Sequence, residues 1–445
     1  MSLVGKPGFR ETEVGWIPEE WQPSTLGGVA HINPRRTKPG SDEDDVSFLA
    51  MGDVSEDGRV IAHQVRPYKE VAKGFTSFID DDVIVAKITP CFENGKGALV
   101  TNLHGGIGFG STEFHVVRAI PDRATPSFLK LHTRSDEFRR LGERNMVGSA
   151  GQKRVPAEFL REYPVALPPL LEQKKIAAIL AAVDDKLDVI ARQIEANQSL
   201  KQGLMQTLFS RGVGTQDVSG QWVPHADFKD GELGEIPASW AAAKLNSHVN
   251  KVGSGVTPKG GSDSYLSSGI PLIRSQNVLV GRLSLDDVVF ISPEQHGKMR
   301  NSALSPNDVL LNITGASIGR CAVLPADFEA ANVNQHVCII RTEASLNPNF
   351  LCQYLNSEMG QKQVGKFQAG GNREGLNYPQ IRSFDVPLPP APEQHEIATV
   401  LGCLDEKVEV LISKQTQYQT LKRGLMQKLL KGEWRVSFAP SATGT

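Results

Sequence analysis

Polar side chains stand at the ends of β-branched runs in two separate stretches of this 445-residue chain. In the first stretch they are Lys87, Thr89, Lys96, Ser111, Thr112, Gln152, Lys153 and Arg154. In the second they are Arg274, Gln276, Asn277, Asn312, Thr314, Arg320, Asn334, Gln335, His336, Asn372 and Arg373. Neither set is a catalytic constellation. No nucleophile stands beside a base, and the ten histidines have no metal-ligand spacing. The chain has no G-x-x-x-x-G-K-[ST] loop, no H-E-x-x-H and no Asn-Pro-Pro-aromatic tetrapeptide. The run "GGIGFG" at 105–110 lacks the G-x-G-x-x-G spacing and leads into a strand, so it reads as a hairpin turn. What these residue types suit is hydrogen bonding to flat polar edges and to phosphate. Asn and Gln match adenine, Arg and Lys match guanine, and all of them bind phosphate oxygens. Taken singly, each is better read as a solvated loop residue, and it is the collective pattern that carries weight.

The two stretches share a frame. "VSFLAMGDV" (46–54) parallels "IPLIRSQNV" (270–278), and "GKGALV" (95–100) parallels "GRCAVL" (319–324). "STEFHVVR" (111–118) parallels "NQHVCIIR" (334–341), and "DVIVAKIT" parallels "DVLLNIT" with a one-residue gap that sets Lys87 against Asn312. These runs read as alternating strands. "PSFLKLHTRSDEFRRLGE" (126–143) and "PNFLCQYLNSEMGQKQVG" (348–365) each read as a helix opening after a proline. Apolar positions agree between the stretches while the polar strand ends differ, as two readers of different base sequences require. Lys96 and Arg320 keep one positive charge after a glycine, which predicts a shared phosphate contact.

A longer repeat holds these modules. "PPLLEQKKIAAILAAVDDKLDVI" from Pro168 returns as "PPAPEQHEIATVLGCLDEKVEVL" from Pro389, 221 residues later. "FRETEVGWIPEEW" (9–21) returns as "FKDGELGEIPASW" (228–240). One long period implies a duplicated architecture, not a solenoid. In the first helical copy Ile176, Leu180, Val183, Leu187 and Ile190 recur at heptad spacing, continued by Ile194; in the second, Ile397, Leu401, Leu404, Val408 and Leu411 do the same. Asn197 and Gln415 interrupt the seams. The prolines set the helix starts, with Glu172 and Glu393 in the favourable first turn. About 40 residues per helix gives roughly 60 Å. The expected fold is α+β (α/β-like) with a pseudo-two-fold internal repeat. It has modules with mainly β cores, each followed by a long helix, and the helices pair as an antiparallel coiled coil. The expected segments are a first module at 1–167, its helix at 168–211 and a connector at 212–227. A second module at 228–388, its helix at 389–431 and a tail at 432–445 complete the chain. The end of the second helix is expected to return to the start of the chain.

Bulk properties narrow the class. Net charge is −2 from 48 Lys and Arg against 50 Asp and Glu, unlike a free-standing DNA binder with basic excess. Nucleic-acid contact then requires local patches or a partner that shares the phosphate work. Five scattered cysteines exclude a disulfide framework and fit a reducing cytoplasm. No window approaches a membrane span.

The "PLPP…EQ" hinge with its heptad helix, twice, and the two "G-x-IP-x-x-W" boxes resemble the specificity subunit of type I restriction–modification enzymes. So do "AKITPCFENGKGA" and "DVLLNITGASIGRCAV". The resemblance spans nearly the whole chain. It implies two target-recognition domains, each reading half of a bipartite, asymmetric site in double-stranded DNA. It implies two modification (methyltransferase) subunits on the helices and restriction (translocase/nuclease) subunits recruited to that core. This chain would hold no cofactor and no metal; S-adenosylmethionine and adenine-N6 chemistry would sit in the modification subunits. Two other readings stay open. One is a coiled-coil scaffold or adaptor that binds no DNA, and the other is a self-sufficient DNA methyltransferase or nuclease.

Overall fold

The structure, a computed structural model, describes residues 5, 7–149, 151–258, 260–368 and 375–436. It divides into two compact units. One is built on residues up to Val189 together with those from Gln415 onward, and the other on Ile190–Lys414.

In the first unit a four-stranded antiparallel sheet runs in the order Ala30–Ile32, Phe114–Ala119, Val83–Ala86, Gly97–Leu99. A second sheet runs Gln64–Pro67, Asp45–Leu49, Ile107–Gly110, Thr76–Ile79, with its two central strands parallel. The strand Val83–Ala86 is buried on both faces. Its Val83 and Val85 pack with Phe128, Phe138, Ile176 and Leu429, while Ile84 and Ala86 pack with Leu49, Phe78 and Val116. A central strand with a core on each side has no polar face, so the expected alternation is absent here.

The second unit repeats this plan. Its sheet runs Val249–Ser254, Val337–Thr342, Val309–Asn312, Cys321–Val323, beside a three-stranded sheet of Val289–Ile291, Ile270–Ile273 and Asn332–Val333. Val309 and Leu311 face Phe350, Tyr354 and Ile397, and Leu310 faces Ile273 and Val333. One buried carboxylate in each unit fixes the strand pairing through an arginine fork. Arg118 Nε and Nη2 each donate to Asp82 at 2.8 Å, and Arg341 does the same to Asp308 at 2.7 and 2.8 Å.

Each helix expected after a proline is in fact two. Pro126–Arg134 is followed by Asp136–Arg144, and Pro348–Asn356 by Glu358–Gln368. The break is a serine in extended backbone that closes one helix and caps the next. Ser135 Oγ donates to the His132 carbonyl and accepts from the Phe138 N–H; Ser357 Oγ donates to the Tyr354 carbonyl and accepts from the Gly360 N–H. Serine competes well for such local backbone bonds, so a single Ser ends an otherwise helical run.

The long helices are Leu170–Arg211 and Ala391–Leu430. Both open on the double proline, and both use their "EQ" pair as a lock, not as dipole decoration. Gln173 Oε1 accepts from the Thr125 N–H while its Nε2 donates to the Arg123 and Pro168 carbonyls, all at 2.9 Å. Gln394 repeats the pattern with Asn347, Ser345 and Pro389. Glu172 and Glu393 are buried and accept the indole N–H of Trp21 at 3.0 Å and of Trp240 at 2.8 Å.

Of the seam residues, Ile176, Leu180, Ile190, Ile397 and Leu401 are buried, and Val183, Leu187, Leu404, Val408 and Leu411 are half-buried. In the first unit Lys422 Nζ meets Asp184 at 2.6 Å; in the second Lys201 Nζ meets Asp405 at 2.6 Å. Asp405 lies 221 residues after Asp184 and Lys422 lies 221 after Lys201, so the two ion pairs are copies of each other. Asn197 donates to the Gln193 carbonyl of its own helix. The end of the second helix does return to the start of the chain. Leu429 and Leu430 share a core with Ile17 and Trp21, and Arg435 bonds Glu20 and Glu172.

Candidate nucleic-acid interface

Backbone hydrogen bonds show which positions of the two modules are equivalent. The Ala86 N–H donates to the Lys96 carbonyl at 3.0 Å, and the Asn312 N–H to the Arg320 carbonyl at 2.9 Å. Lys96 and Arg320 therefore occupy one point of the frame, as the sequence predicts. The Lys87 N–H donates to the Glu113 carbonyl and the Ile313 N–H to the His336 carbonyl. The counterpart of Lys87 is thus Ile313, and Asn312 matches Ala86. The one-residue gap placed between these strands in the sequence comparison does not exist.

The first sheet end gathers Lys87, Thr89, Lys96, Ser111, Thr112, Gln152, Lys153 and Arg154. The Thr89 N–H bonds the Lys153 carbonyl at 2.9 Å, and Ile88 bridges Arg154. The Arg154 Nη2 meets Glu113 Oε1 at 2.9 Å, which holds the Glu113 carboxyl below the usual carboxylate range. Arg154 is thereby committed to its own module, and Thr89 donates to Glu93. Ser111 accepts from the Glu113 N–H, while Thr112, Gln152 and Lys153 are exposed. Among the described residues, Lys87 and Lys153 have no side-chain partner.

The second sheet end carries a chain of hydrogen-bonded polar side chains in place of the ion pair. Thr257 Oγ1 donates to Gln335 Oε1, Gln335 Nε2 lies 2.9 Å from His336 Nε2, and His336 Nδ1 lies 2.6 Å from Thr314 Oγ1. Arg320 and Gln276 are exposed there. Gln276 Nε2 bonds Asp287, and Arg274 Nη2 bonds the Asp287 carbonyl at 2.8 Å.

Three candidates are corrected by burial. Asn312 is fully buried and its amide donates to the Ser275 and Val278 carbonyls and to Ser317 Oγ. Asn277 accepts from the Arg274 N–H and donates to the Ser284 carbonyl, and Asn334 accepts from the His336 N–H. These amides hold the loops that present the exposed residues; they do not face solvent themselves. Asn372 and Arg373 lie outside the described residues.

Sequence reasoning missed Asn33 and Arg36. With Lys87, Thr76, Ser77 and Phe75 they line a cavity of about 340 Å³ at the first sheet end. Asn33 adopts a left-handed φ of 52° and bonds His115, whose Nε2 meets the Val155 carbonyl at 2.9 Å. Burial lowers the pKa of that imidazole. The signal was the "NPRR" run, an Asn-Pro turn followed by two arginines.

Lys96 and Arg320 are the candidates for a shared phosphate contact. Lys96 Nζ donates to the Met51 carbonyl at 3.3 Å, which holds a half-buried ammonium at the sheet end, and Arg320 points into solvent without a partner among the described residues. Lys96→Ala and Arg320→Ala will each weaken DNA binding by the full complex and lower the slope of log affinity against log salt by about one. Base preference will stay as it was. Altered base preference at constant slope would reverse the assignment.

Among the described residues no group of His, Cys, Asp or Glu could hold a metal ion, and no helix is long and apolar enough to cross a membrane. The family described as type I restriction modification DNA specificity domain matches residues 18–197 and again 243–422. The specificity subunit of the type I restriction enzyme EcoAI of Escherichia coli is 26% identical, over 90% of this chain and 81% of its own length. The specificity subunit of the putative type I restriction enzyme MjaX of Methanocaldococcus jannaschii is 24% identical over 98% and 99%. A solved S subunit of a type I restriction–modification system from M. genitalium has the same fold, with TM-score 0.57 and 16% identity over 92% of this chain and 96% of that one. A chain solved in a study of complex assembly of the type I R-M system gives TM-score 0.55 and 20% identity over 94% and 99%. Two family matches that together cover most of its length make this chain a member of the type I restriction modification DNA specificity family, a DNA-specificity protein and not a DNA-free adaptor.

Proposed function

We propose that the chain reads a bipartite, asymmetric site in double-stranded DNA, one half-site with each module, and carries no reaction of its own. The observation that supports this most is the pair of sheet ends. Their backbone hydrogen bonds are equivalent, yet one presents Lys87, Lys153 and a Glu113–Arg154 ion pair, and the other presents Thr314, Gln335, His336 and Arg320. An equivalent frame with a different polar edge is what two half-sites of different sequence demand.

In this reading the two long helices form an antiparallel coiled coil that holds the readers apart. The matched lysine–aspartate pairs are the support for its direction. Two modification subunits would bind along the helices, with restriction subunits recruited to them in the cytoplasm. S-adenosylmethionine and the adenine-N6 chemistry would belong to the modification subunits, which would also share the neutralisation of phosphate that a chain of net charge −2 does poorly alone. Exposed apolar residues repeat outside the seam at matched positions, Val189 with Val410 and Leu200 with Leu421, as two copies of one partner would need.

The test is an exchange. Residues 1–167 are replaced by the first module of another family member, and methylated adenines are mapped in a host that carries the chimera with its modification subunit. One half of the motif should change and the other should persist. A change in both halves would refute the assignment of one reader per half-site.

A further inference from the structure

We propose that two matched ion pairs, Arg59–Asp188 in the first unit and Arg282–Glu409 in the second, are positioning contacts that fix the angle at which each reading module leaves its helix. They thereby set which spacer lengths the two readers accept together. The inference rests on the two-reader function proposed above and names the residues that make it selective for distance.

The pairs are copies of each other. Arg59 and Arg282 each follow a glycine in a left-handed turn, Gly58 at φ 90° and Gly281 at φ 76°. Each turn is closed by a short antiparallel bridge, Val54 to Val60 in one and Val278 to Leu283 in the other. Glu409 lies 221 residues after Asp188, at the same point of the duplicated helix. Such a correspondence between separate turns and separate helices is hard to obtain from solvated side chains that meet by chance.

The helix carries a second carboxylate one turn earlier. Asp184 and Asp188 are four residues apart, as are Asp405 and Glu409, so each pair shares a helix face. Asp184 and Asp405 take the lysine of the facing helix, and Asp188 and Glu409 take the arginine of the module. Helix, partner helix and module are thus tied at one corner within each unit. In the first corner Arg59 Nη1 and Nη2 each grip one Asp188 oxygen, and Arg59 Nε also meets Asp57 at 3.1 Å. A two-point fork between planar groups fixes an angle as well as a distance. In the second corner a single contact, Arg282 Nε to Glu409 at 3.7 Å, is looser. Both pairs are partly solvent-exposed, so they contribute orientation more than stability.

Angle matters because one base pair of spacer turns a half-site by about 34° around the duplex. A module free to swing by that amount accepts neighbouring spacers.

The experiment uses the complete chain with its modification subunits and a library of sites that differ only in spacer length. Arg59→Ala should keep both half-site sequences, while the preference for the native spacer over spacers one base pair longer or shorter falls about fivefold, the reach of a single exposed fork. Arg282→Ala should act in the same direction and more weakly. Arg59→Asp combined with Asp188→Arg should restore the preference, a rescue that loss of bulk packing would not give. An unchanged spacer profile in Arg59→Ala overturns the proposal, as does loss of all methylation that the charge exchange fails to rescue. A methylated motif in a single contiguous block would overturn the two-reader function instead.

Discussion

Glu393→Ala will lower the melting temperature of the second unit by about 10 °C, the largest loss expected from a single exchange in this chain. Glu393 is buried at the start of its helix, and its two oxygens serve four donors. Oε2 accepts the Trp240 indole N–H at 2.8 Å. Oε1 accepts the Val213 and Gly214 backbone N–H groups at 2.9 and 3.0 Å, and His225 Nε2 lies 2.9 Å from it. Alanine leaves the indole and both backbone donors buried without an acceptor, at about 1–3 kcal/mol each, and opens a cavity where the carboxylate stood. A net loss of about 4 kcal/mol is a moderate total, and each kcal/mol shifts a unit of this size by about 2–4 °C. Glu393→Gln should fall between the two, since an amide can serve the backbone donors and then turns its own N–H groups toward Trp240. Glu172→Ala should cost less. Its charged partner Arg435 is about one-third exposed and can rehydrate, which leaves only the Trp21 indole stranded. Calorimetry on the full chain measures all three, and a Glu393→Ala chain that melts within two or three degrees of the parent would refute the lock.

That lock shows what a sequence reader sees and does not see. The repeated "EQ" after a double proline was visible, and so was the repeated tryptophan box, because each is a local pattern. Their meeting was not visible, since Trp21 lies 151 residues from Glu172 and Trp240 lies 153 from Glu393. Local reasoning therefore assigned the glutamates to the helix dipole, an effect of a few tenths of a kcal/mol to one. The near-equality of those two separations was the clue that remained. The helices were legible for the opposite reason, that their spacing is local information.

At the sheet ends the outcome was mixed on similar grounds. Lys96 and Arg320 were matched correctly because a glycine precedes each, whereas Lys87 was set against Asn312 by a gap that similar β-branched runs tolerate freely. A slip of one residue turns a strand residue to the other face. This is how Asn312, an amide sealed between Ser275 and Val278, came to be read as a solvent-facing base reader. Arg36 and Asn33 were passed over because a cavity is a property of packing between two sheets, and no spacing rule announces it.

Insertion of heptads into the proposed coiled coil will change the preferred DNA spacer in a periodic way. The two ion pairs set the level at which the helices would meet. In that pairing the junction of Arg192 and Gln193, midway in sequence between the two pairs, would face that of Ser413 and Lys414. One heptad inserted at both junctions adds about 10 Å at unchanged seam phase, equal to about three base pairs of DNA. Three base pairs also turn the far half-site by about 100°, so the lengthened protein presents its second module to the wrong face of the duplex. Twisting the DNA back costs kcal/mol rather than tenths, and methylation should fall at least tenfold at every spacer tested. Three heptads at both junctions add about 31 Å, or about nine base pairs, which is nearly one full helical turn. Activity should therefore return with that longer insertion, at a spacer longer by nine or ten base pairs and with both half-sites unchanged. A heptad in one helix alone leaves its partner a turn short and should abolish binding of the paired readers. Mapping methylated motifs across a spacer library separates these outcomes. If both paired insertions kept the native spacer at full activity, the helices would only hold partners, and distance between the half-sites would be set elsewhere.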